Sequence, residues 1–383
     1  MNILIVNFEY PPLGGGGGVA TEQIAQELSK RHRVWVLTSG KWGESGPEAD
    51  GAVQVIRVPV VGRRSLPTAS LVSLLSFVPA ACIGIIYLCR RQAFDVINAQ
   101  FVIPSGIPAA LGAWLFRVPL VVSFIGGDVY DPTKGISPHR HWWLRMVVRF
   151  FAGRATIRTA ISNDTKKRAQ LLHGVAGEIV VTHLGLQTKA TPKASKGELG
   201  MVPGRIACVS IGRLIPRKAY DVLLEAWRHV PEADLIIIGD GPLKKTLQDF
   251  IIEHGLSGRV RLAGYVSDEK KRQFLKASDV YVSAAEHEGF GIVFLEAMDA
   301  HLPIVAVNEG GQTDFLVHGQ NALLVEPRSS EHIAAAVKQL VHDPLFRQEM
   351  GAKNSRRVQD FYLPKTVEKF EHVLLRATQK PIV

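Results

Sequence analysis

The sequence has few cysteines. Cys82, Cys89 and Cys208 are the only three in 383 residues, and no two of them form a CxxC pair. This odd and widely spaced set argues against a disulfide framework and a cysteine zinc site, and it favours reduced thiols in a cytosolic protein. The start, MNILIVNF, lacks a basic segment and a small-residue cleavage site, so we expect no signal peptide. A content of 46% hydrophobic and 21% charged residues excludes a disordered chain, and the length predicts two or three domains.

Acidic residues are scarce in the first half of the chain. Residues 1–186 contain 19 Lys and Arg against 11 Asp and Glu, whereas residues 187–383 contain 26 against 24. Phosphate, nucleic acid or an anionic membrane face are partners that suit this basic half. Residues 65–89 contain no charge at all. Because this segment lies between two predicted strands, we expect a buried crossover helix, with an interfacial or a membrane-spanning helix as alternatives.

Segment 139–154, HRHWWLRMVVRFFAGR, predicts a cationic amphipathic helix. One helical stripe contains five apolar side chains, Trp142, Trp143, Met146, Val147 and Phe150. An ordinary helix with this stripe toward the core is our first interpretation, and a helix lying on a membrane surface is the alternative.

Short apolar runs alternate with helical stretches through both halves of the chain, which is typical of doubly wound parallel sheets. The first set of predicted strands covers 3–7, 33–38, 53–58, 94–99, 119–124 and 156–162. The second set covers 206–211, 235–238, 260–262, 279–283, 303–307 and 322–325. Residues 187–204 are rich in Lys, Thr, Pro, Ser and Gly and predict a linker. We therefore expect α/β domains at 1–186 and 205–364, with a last helix, 365–383, packed back on the first domain.

A glycine run, Gly14–Gly18, follows the first predicted strand and precedes a helix. Backbone N–H groups at a helix start bind phosphate, and glycines let the ligand approach closely. A flexible turn is the alternative. The run has no GxGxxG spacing and no acidic residue ends the second strand, which argues against a nicotinamide site.

Two cations follow the strand at 206–211. Gly212-Arg213 ends this strand, and Lys218 comes five residues later. Two cations at the carboxyl end of a strand could hold a diphosphate, although exposed loop cations are an equal alternative.

Glu288 and Glu296 have seven residues between them. The turn Gly289-Phe290-Gly291 separates Glu288 from a helix predicted to begin near Ile292. One carboxylate therefore precedes the helix start and the other lies on the helix. The N–H groups of the helix start could hold phosphate, while the carboxylates accept hydrogen bonds from sugar hydroxyls. Two solvated glutamates are the alternative.

In this order the motifs resemble the retaining glycosyltransferases of family 4, the glycosyl transferases group 1 with the GT-B fold. The further motifs of the resemblance are Gly126-Gly127-Asp128, Ser162, Gly239-Asp240-Gly241-Pro242, Gly264-Tyr265-Val266 and Asn308-Glu309-Gly310-Gly311. The resemblance implies two Rossmann-like doubly wound domains that face a cleft. The first domain would bind the acceptor and the second the nucleotide sugar.

The resemblance also implies roles for individual residues. Arg213 and Lys218 would hold the donor diphosphate, Glu296 would bind ribose hydroxyls, and Glu288 would contact the transferred sugar. The other implied donor contacts are Gly15, Gly16, Gly17, Val266, Gly289, Phe290, Gly291 and Ile292. No divalent metal and no other cofactor would be needed, because Arg, Lys and helix dipoles stabilise the leaving group.

The sequence departs from the family pattern at three positions. Ile125 replaces a usual His, which makes Asp128 the nearer polar candidate, so that Glu288 and Asp128 form the predicted catalytic set. Ala219 and His301 each replace a usual Gly.

The implied function is retaining transfer of a hexose-type sugar from a UDP- or GDP-sugar to an acceptor hydroxyl. We expect a lipid-linked or cell-envelope glycan as acceptor, no nucleic-acid partner, and a cytoplasmic protein that sits peripherally on the inner face of the plasma membrane. A soluble acceptor, a non-catalytic sugar-nucleotide sensor and a UDP-sugar 2-epimerase on the same fold are the alternatives.

Overall fold

A computed structural model describes residues 1–40, 46–62 and 70–380 of the chain. The chain forms two compact units, Met1–Gln187 with Leu363–Val383, and Thr188–Tyr362. Each unit is an α/β domain with its own hydrophobic core between a parallel sheet and its helices.

The first unit contains an eight-stranded sheet in the order β3-β4-β2-β1-β5-β6-β7-β8. All neighbouring strands are parallel except the antiparallel pair β3–β4. The strands are β1 (Asn2–Val6), β2 (Arg33–Ser39), β3 (Gly46–Asp50), β4 (Val53–Val58), β5 (Val96–Gln100), β6 (Leu120–Phe124), β7 (Ile157–Ala160) and β8 (Ile179–Val181). The helices are α1 (Gly16–Ser29), α2 (Leu71–Arg91), α3 (Gly106–Phe116), α4 (Trp142–Gly153) and α5 (Asn163–His173). Central strands such as β5 and β6 are buried throughout, as expected for a parallel sheet covered on both faces.

The second unit contains a six-stranded sheet in the order β11-β10-β9-β12-β13-β14, parallel throughout. Its strands are β9 (Ile206–Ile211), β10 (Ala233–Ile238), β11 (Val260–Gly264), β12 (Val280–Ser283), β13 (Ile304–Val307) and β14 (Ala322–Val325). Its helices are α6 (Tyr220–Trp227), α7 (Lys244–Glu253), α8 (Asp268–Ala277), α9 (Ile292–Asp299), α10 (Ser330–His342) and α11 (Pro344–Arg357). The last helix, α12 (Leu363–Thr378), belongs to the first unit, where it packs against α1.

Residues 188–204, which we predicted as part of a linker, belong to the second unit. Leu199 and Met201 are buried there. Arg261 donates a hydrogen bond to the Leu199 carbonyl (2.7 Å), and Lys196 forms an ion pair with Asp279 (2.6 Å). Because the segment is mostly polar, its composition did not indicate that Leu199 and Met201 are buried or that Lys196 forms an ion pair.

Helix α2 buries only one of its faces. Phe77, Ala81 and Ile85 pack into the core, whereas Leu75 and Ile83 are 65% and 72% exposed. The prediction of a buried crossover helix is therefore right for the position of α2 between β4 and β5 and wrong for its outer surface. By length and composition alone, α2 could cross a membrane. The start of the predicted segment, 65–69, lies outside the described residues.

Helix α4 packs on the core with a different face from the one that we predicted. Leu144, Val148 and Ala152 are buried, and their i, i+4 spacing forms the stripe that packs on the core. Trp142 is 77% exposed, and Trp143 is also exposed, together with Met146 and Phe150. The first interpretation, that this Trp stripe faces the core, is therefore wrong.

Candidate active site

Lys218 lies in the loop that follows β9. The loop makes a 3₁₀ turn, Pro216–Lys218, and the Lys218 side chain is 12% exposed. A Cβ on Gly212 would lie 2.8 Å from Lys218 Cε, so glycine leaves the space that the lysine fills. Arg213 is exposed and forms no ion pair within the described part of the chain. Both predicted cations thus follow the carboxyl end of β9, Lys218 inside the unit and Arg213 at its surface.

Glu288 lies directly beside Lys218. Its Oε1 accepts a hydrogen bond from Lys218 Nζ, and its Oε2 lies 3.3 Å from Arg217 Nη1. Burial raises the pKa of Glu288, but the nearby Lys218 and Arg217 outweigh burial and hold this pKa below its usual value. Glu288 is therefore ionised at neutral pH although it is buried. We did not predict Arg217 as a site residue, although its position directly before Lys218 in the sequence could have indicated it.

The loop after β13 packs tightly against the Glu288 turn. The Gly311 N–H donates to the Glu288 carbonyl (2.7 Å). A Cβ on Gly311 would lie 2.1 Å from the Gly289 carbonyl oxygen, and one on Gly310 would lie 2.6 Å from the Glu288 carbonyl oxygen. These two glycines are therefore required by close backbone contact, and they fix the position of Glu288.

The turn leads directly into α9. Gly291 precedes the helix with φ +87°, a left-handed conformation that favours glycine. The Phe290 ring is buried against Phe315, with 5.3 Å between ring centroids, so only the Phe290 backbone remains for a ligand. The Phe294 N–H donates to the Gly291 carbonyl (2.9 Å), so the N–H groups of Ile292 and Val293 are the ones at the helix start that can bind an anion.

Glu296 lies on α9 and pairs with Lys271 of α8, with 2.7 Å between Lys271 Nζ and Glu296 Oε1. Burial raises the pKa of Glu296, and the Lys271 ammonium opposes this shift. The second oxygen, Oε2, is buried and accepts no hydrogen bond from the described residues. Buried polar atoms usually have a partner, so this oxygen suits a ligand hydroxyl. We did not predict Lys271 as a site residue, because the sequence gives no sign that α8 packs against α9.

Val266 follows β11 and is half-buried. Strands β11, β10, β9 and β12 are parallel neighbours, so the residues that follow them share one edge of the sheet. Val266, Lys218 and Glu288 therefore lie at the edge where open parallel sheets bind ligands. Within 1–40, 46–62 and 70–380, no group of three His, Cys, Asp or Glu side chains could hold a metal ion.

In the first unit, the glycine loop between β1 and α1 is tied to Glu9. The Gly15 N–H donates to Glu9 Oε2 (3.0 Å), so a carboxylate already accepts one of the bonds predicted for phosphate. A Cβ on Gly17 would lie 2.5 Å from Phe101 Cζ, which requires glycine there. Gly16 is the first residue of α1, and a Cβ there would meet no atom within 4 Å, so the helix start is open at this position.

Asp128 is buried between two loops of the first unit. Its Oδ1 accepts the Ile125 N–H (3.0 Å) and its Oδ2 accepts the Val102 N–H (2.8 Å). Burial raises the pKa of Asp128 to about 6, against the effect of the backbone hydrogen bonds. With both oxygens bound to backbone, Asp128 holds together the loops that follow β5 and β6. This geometry favours a positioning role over the catalytic role that we predicted.

The two missing family glycines fall on left-handed backbone. Ala219 has φ +46° and His301 has φ +62°. A residue with a Cβ in this conformation costs roughly 1–2 kcal/mol. This strain gives a physical reason why glycine is usual at both positions.

Comparison with known proteins assigns both units to glycosyltransferase families. The family described as Glycosyl transferases group 1 matches residues 193–357, and the Glycosyl transferase 4-like domain matches residues 15–185.

Three curated relatives have names that refer to different kinds of molecule. A putative teichuronic acid biosynthesis glycosyltransferase, TuaC, from Bacillus subtilis is 26% identical over 67% of this chain, and the match spans less than two thirds, 64%, of that relative. A GDP-mannose-dependent alpha-(1-6)-phosphatidylinositol monomannoside mannosyltransferase from Mycobacterium tuberculosis is 30% identical over 54% of this chain and 58% of its own length. N-acetyl-alpha-D-glucosaminyl L-malate synthase from Bacillus anthracis is 23% identical over 95% of this chain and 94% of its own length.

Two solved structures have the same fold. Sucrose-phosphate synthase from Thermosynechococcus elongatus superposes with a TM-score of 0.84 at 17% identity, covering 98% of each chain. HepE from Anabaena, solved in complex with UDP, superposes with a TM-score of 0.77 at 22% identity, covering 98% of this chain and 100% of its own. Residues 193–357 thus match the group 1 glycosyltransferase domain and residues 15–185 match the 4-like domain, and the two doubly wound parallel-sheet domains have the GT-B fold.

Proposed function

We propose that the chain is a retaining, metal-independent glycosyltransferase that moves a hexose-type sugar from a UDP- or GDP-sugar to an acceptor hydroxyl. One observation carries this proposal: the Glu296 side chain on α9 is only 16% exposed, and its buried Oε2 accepts no hydrogen bond from the described residues. The hydroxyls of a nucleotide ribose are donors of the kind that this oxygen needs. The same helix begins at the Glu288 turn, where its N–H groups would bind the diphosphate.

Lys218 and Arg213 would hold the donor diphosphate. Lys218 forms an ion pair with Glu288. When a donor binds, the Lys218 ammonium would be shared with the diphosphate, and Arg217 would remain beside Glu288. The bond from sugar C1 to the phosphate oxygen breaks during transfer, and negative charge develops on the leaving diphosphate. Fixed cations at that point stabilise the charge without a divalent metal.

In this proposal no protein side chain acts as the nucleophile. The acceptor oxygen attacks C1 from the face that the diphosphate leaves, which retains the configuration. A C1–O bond to the acceptor forms, and the acceptor proton passes to the leaving phosphate. Glu288, ionised and fixed by its two cations, would position the sugar and offset positive charge that develops at C1.

We propose that the first unit takes the acceptor and that the acceptor is a lipid-linked or cell-envelope glycan. The names of the TuaC and mannosyltransferase relatives, with teichuronic acid and phosphatidylinositol, support this class. A soluble small-molecule acceptor is the second candidate, and the L-malate synthase relative, which matches along 95% of the chain, favours it.

We further propose a cytoplasmic protein that binds the inner face of the plasma membrane peripherally. The exposed Trp142 and Trp143 of α4, together with Arg145 and Arg149 on the same helix, support this location. Tryptophan and arginine side chains on one helix are suited to an anionic lipid interface.

A donor screen tests the reaction. Thermal shift and slow donor hydrolysis are measured with UDP-glucose, UDP-galactose, UDP-GlcNAc, UDP-glucuronate and GDP-mannose, all in EDTA. We expect stabilisation by one nucleotide and hydrolysis of one sugar nucleotide, both lost in Lys218→Ala and kept in the exposed control Lys245→Ala. No response to any donor, or a response that requires divalent metal, would contradict the proposal.

A further inference from the structure

A cavity of about 300 Å³ opens between helices α2, α3 and α4 of the first unit. Its wall is mainly apolar and includes Cys82, Ile107, Leu111, Trp114 and Phe151. Among the twelve residues that line it, the single charged one is Arg154. This volume lies at the small end of the range for ligand pockets, and the apolar wall suits a hydrocarbon.

The mouth of the cavity is cationic and aromatic. Arg154 is exposed, and its Cζ lies 4.6 Å from the centroid of the Phe150 ring. Trp114 is 69% exposed at the same cavity. Helices α2, α3 and α4 contain no Asp or Glu, and their charged residues are the exposed Arg90, Arg91, Arg145 and Arg149. The charge of this face is therefore complementary to an anionic head group.

The cavity lies away from the edge where the first unit would hold an acceptor. Val118 and Leu120 at the start of β6 line it, as does Thr156 just before β7. These positions are at the amino ends of the strands. In doubly wound sheets, substrates bind at the carboxyl ends of the strands. An acceptor held at the carboxyl edge would not place its reacting hydroxyl near this cavity.

We propose that this cavity binds one acyl chain of an anionic membrane phospholipid, with Arg154 holding the head-group phosphate. The apolar wall takes the chain, and Trp114 and Phe150 lie at the level of the head groups. The inference does not rest on the proposed sugar transfer. It rests on the proposed membrane location and adds to it a binding site for one lipid molecule.

Cys82 serves as a probe of the cavity, because its thiol lies in the wall and is half-buried. The full chain is alkylated with a maleimide, and each cysteine is followed by peptide mass spectrometry. Lauroyl-lysophosphatidylglycerol is added below its micelle concentration, so that no membrane can cover the protein. We expect saturable protection of Cys82 by at least fivefold. Cys89, which is half-buried two turns further along α2 and outside the wall, should react at an unchanged rate.

Three comparisons make the outcome decisive. Glycerol phosphate, which lacks the chain, should give no protection. Lauroyl-lysophosphatidylcholine should protect Cys82 two- to fivefold more weakly than the anionic lipid does. Arg154→Gln should remove this difference between the two lipids. The control Arg356→Gln, on the second unit, should keep it. Ala110→Phe, which fills the cavity, should abolish lipid protection, whereas the exposed control Leu171→Phe should not.

The proposal is overturned if the anionic lysolipid leaves Cys82 reactive in the unmodified chain. It is equally overturned if Cys82 and Cys89 are protected alike, or if Ala110→Phe folds with an unchanged melting temperature and still shows full protection. The measurement on the unmodified chain stands even where the cavity-filling variant does not fold. No donor or acceptor is present in these assays, so a failed sugar-transfer assay and a failed lipid assay remain separate results.

Discussion

Replacing Lys218 by methionine tests the electrostatic account of the candidate site. Lys218 and Glu288 are both largely buried, with side chains 12% and 10% exposed, and they are paired with each other. Lys218→Met keeps the length of the side chain and removes its charge. Breaking one partner of a buried ion pair typically costs about 3–5 kcal/mol. Because Arg217 stays 3.3 Å from Glu288, we expect the lower end, about 3 kcal/mol.

Hydrogen exchange of peptides from β9 and β12 is the assay, since it reports on the second unit alone. A loss of about 3 kcal/mol corresponds to roughly a hundredfold faster exchange at pH 7. The exposed control Lys245→Met should exchange as the unmodified chain does. Adding Glu288→Gln to Lys218→Met should restore part of the protection, because the uncompensated buried charge is then gone.

The effect of pH has a defined sign. In the unmodified chain the pKa of Glu288 is held below its usual value, so its stabilisation is present above the unfolded pKa and is lost as pH falls through the folded pKa. Without Lys218, burial raises the pKa of Glu288, so the destabilisation is largest at high pH and fades as pH falls and the carboxyl is protonated. Unchanged exchange in Lys218→Met at pH 7, or a penalty that grows toward pH 4, would refute this reasoning.

Three further predictions concern Lys271, Ala219 and the exposed tryptophans of α4. Lys271→Met should weaken nucleotide binding about tenfold at pH 6 and less at pH 8, because the unpaired Glu296 then binds a proton; a pH-independent effect in calorimetric titration would argue against this. Ala219→Gly should raise the free energy of unfolding by about 0.5–1 kcal/mol, because it relieves a φ of +46°; a lower stability in denaturant titration would contradict the strain. Replacing both Trp142 and Trp143 by Ser should reduce flotation with anionic liposomes at least tenfold at low salt, whereas Leu171→Ser on α5 should not; equal flotation of both variants would exclude α4 as the contact.

The positions of most strands could be predicted from the sequence, because buried parallel strands are continuous apolar runs. β9 and β14 have the bounds that we predicted. β3 and β8 were missed for opposite reasons. β3, GPEAD, contains no apolar run and pairs only as an antiparallel edge strand, and β8 has only three residues at the other edge.

Helical faces were harder to predict than strands. In α4 two apolar stripes compete, and the smaller residues Val148 and Ala152 fit against the sheet while the large Trp142 remains outside. Hydrophobicity alone favours the tryptophan stripe, whereas the space beside a packed sheet favours the smaller side chains. In α2, the long uncharged sequence favoured a buried helix and did not indicate which residues would stay exposed.

Within the candidate site, motifs predicted residue types but not partners. Glu288 and Lys218 were predicted separately for sugar and phosphate, and the structure places them in one ion pair. Asp128 was predicted to be catalytic because Ile125 replaces a usual His nearby, and only the structure shows that backbone N–H groups occupy both oxygens of Asp128. Such pairing depends on which loops meet at the edge of a sheet, which short sequence motifs do not encode.

Nucleotide binding by Glu296 is the most direct test of the central claim. UDP and GDP are each titrated calorimetrically into the full chain in EDTA, and the titrations are repeated with Glu296→Gln and with the exposed control Glu253→Gln. We expect one nucleotide to bind without metal and Glu296→Gln to weaken its binding at least tenfold. Glu253→Gln should bind this nucleotide as the unmodified chain does. Binding of neither nucleotide, or equal affinity in Glu296→Gln and the unmodified chain, would contradict this claim.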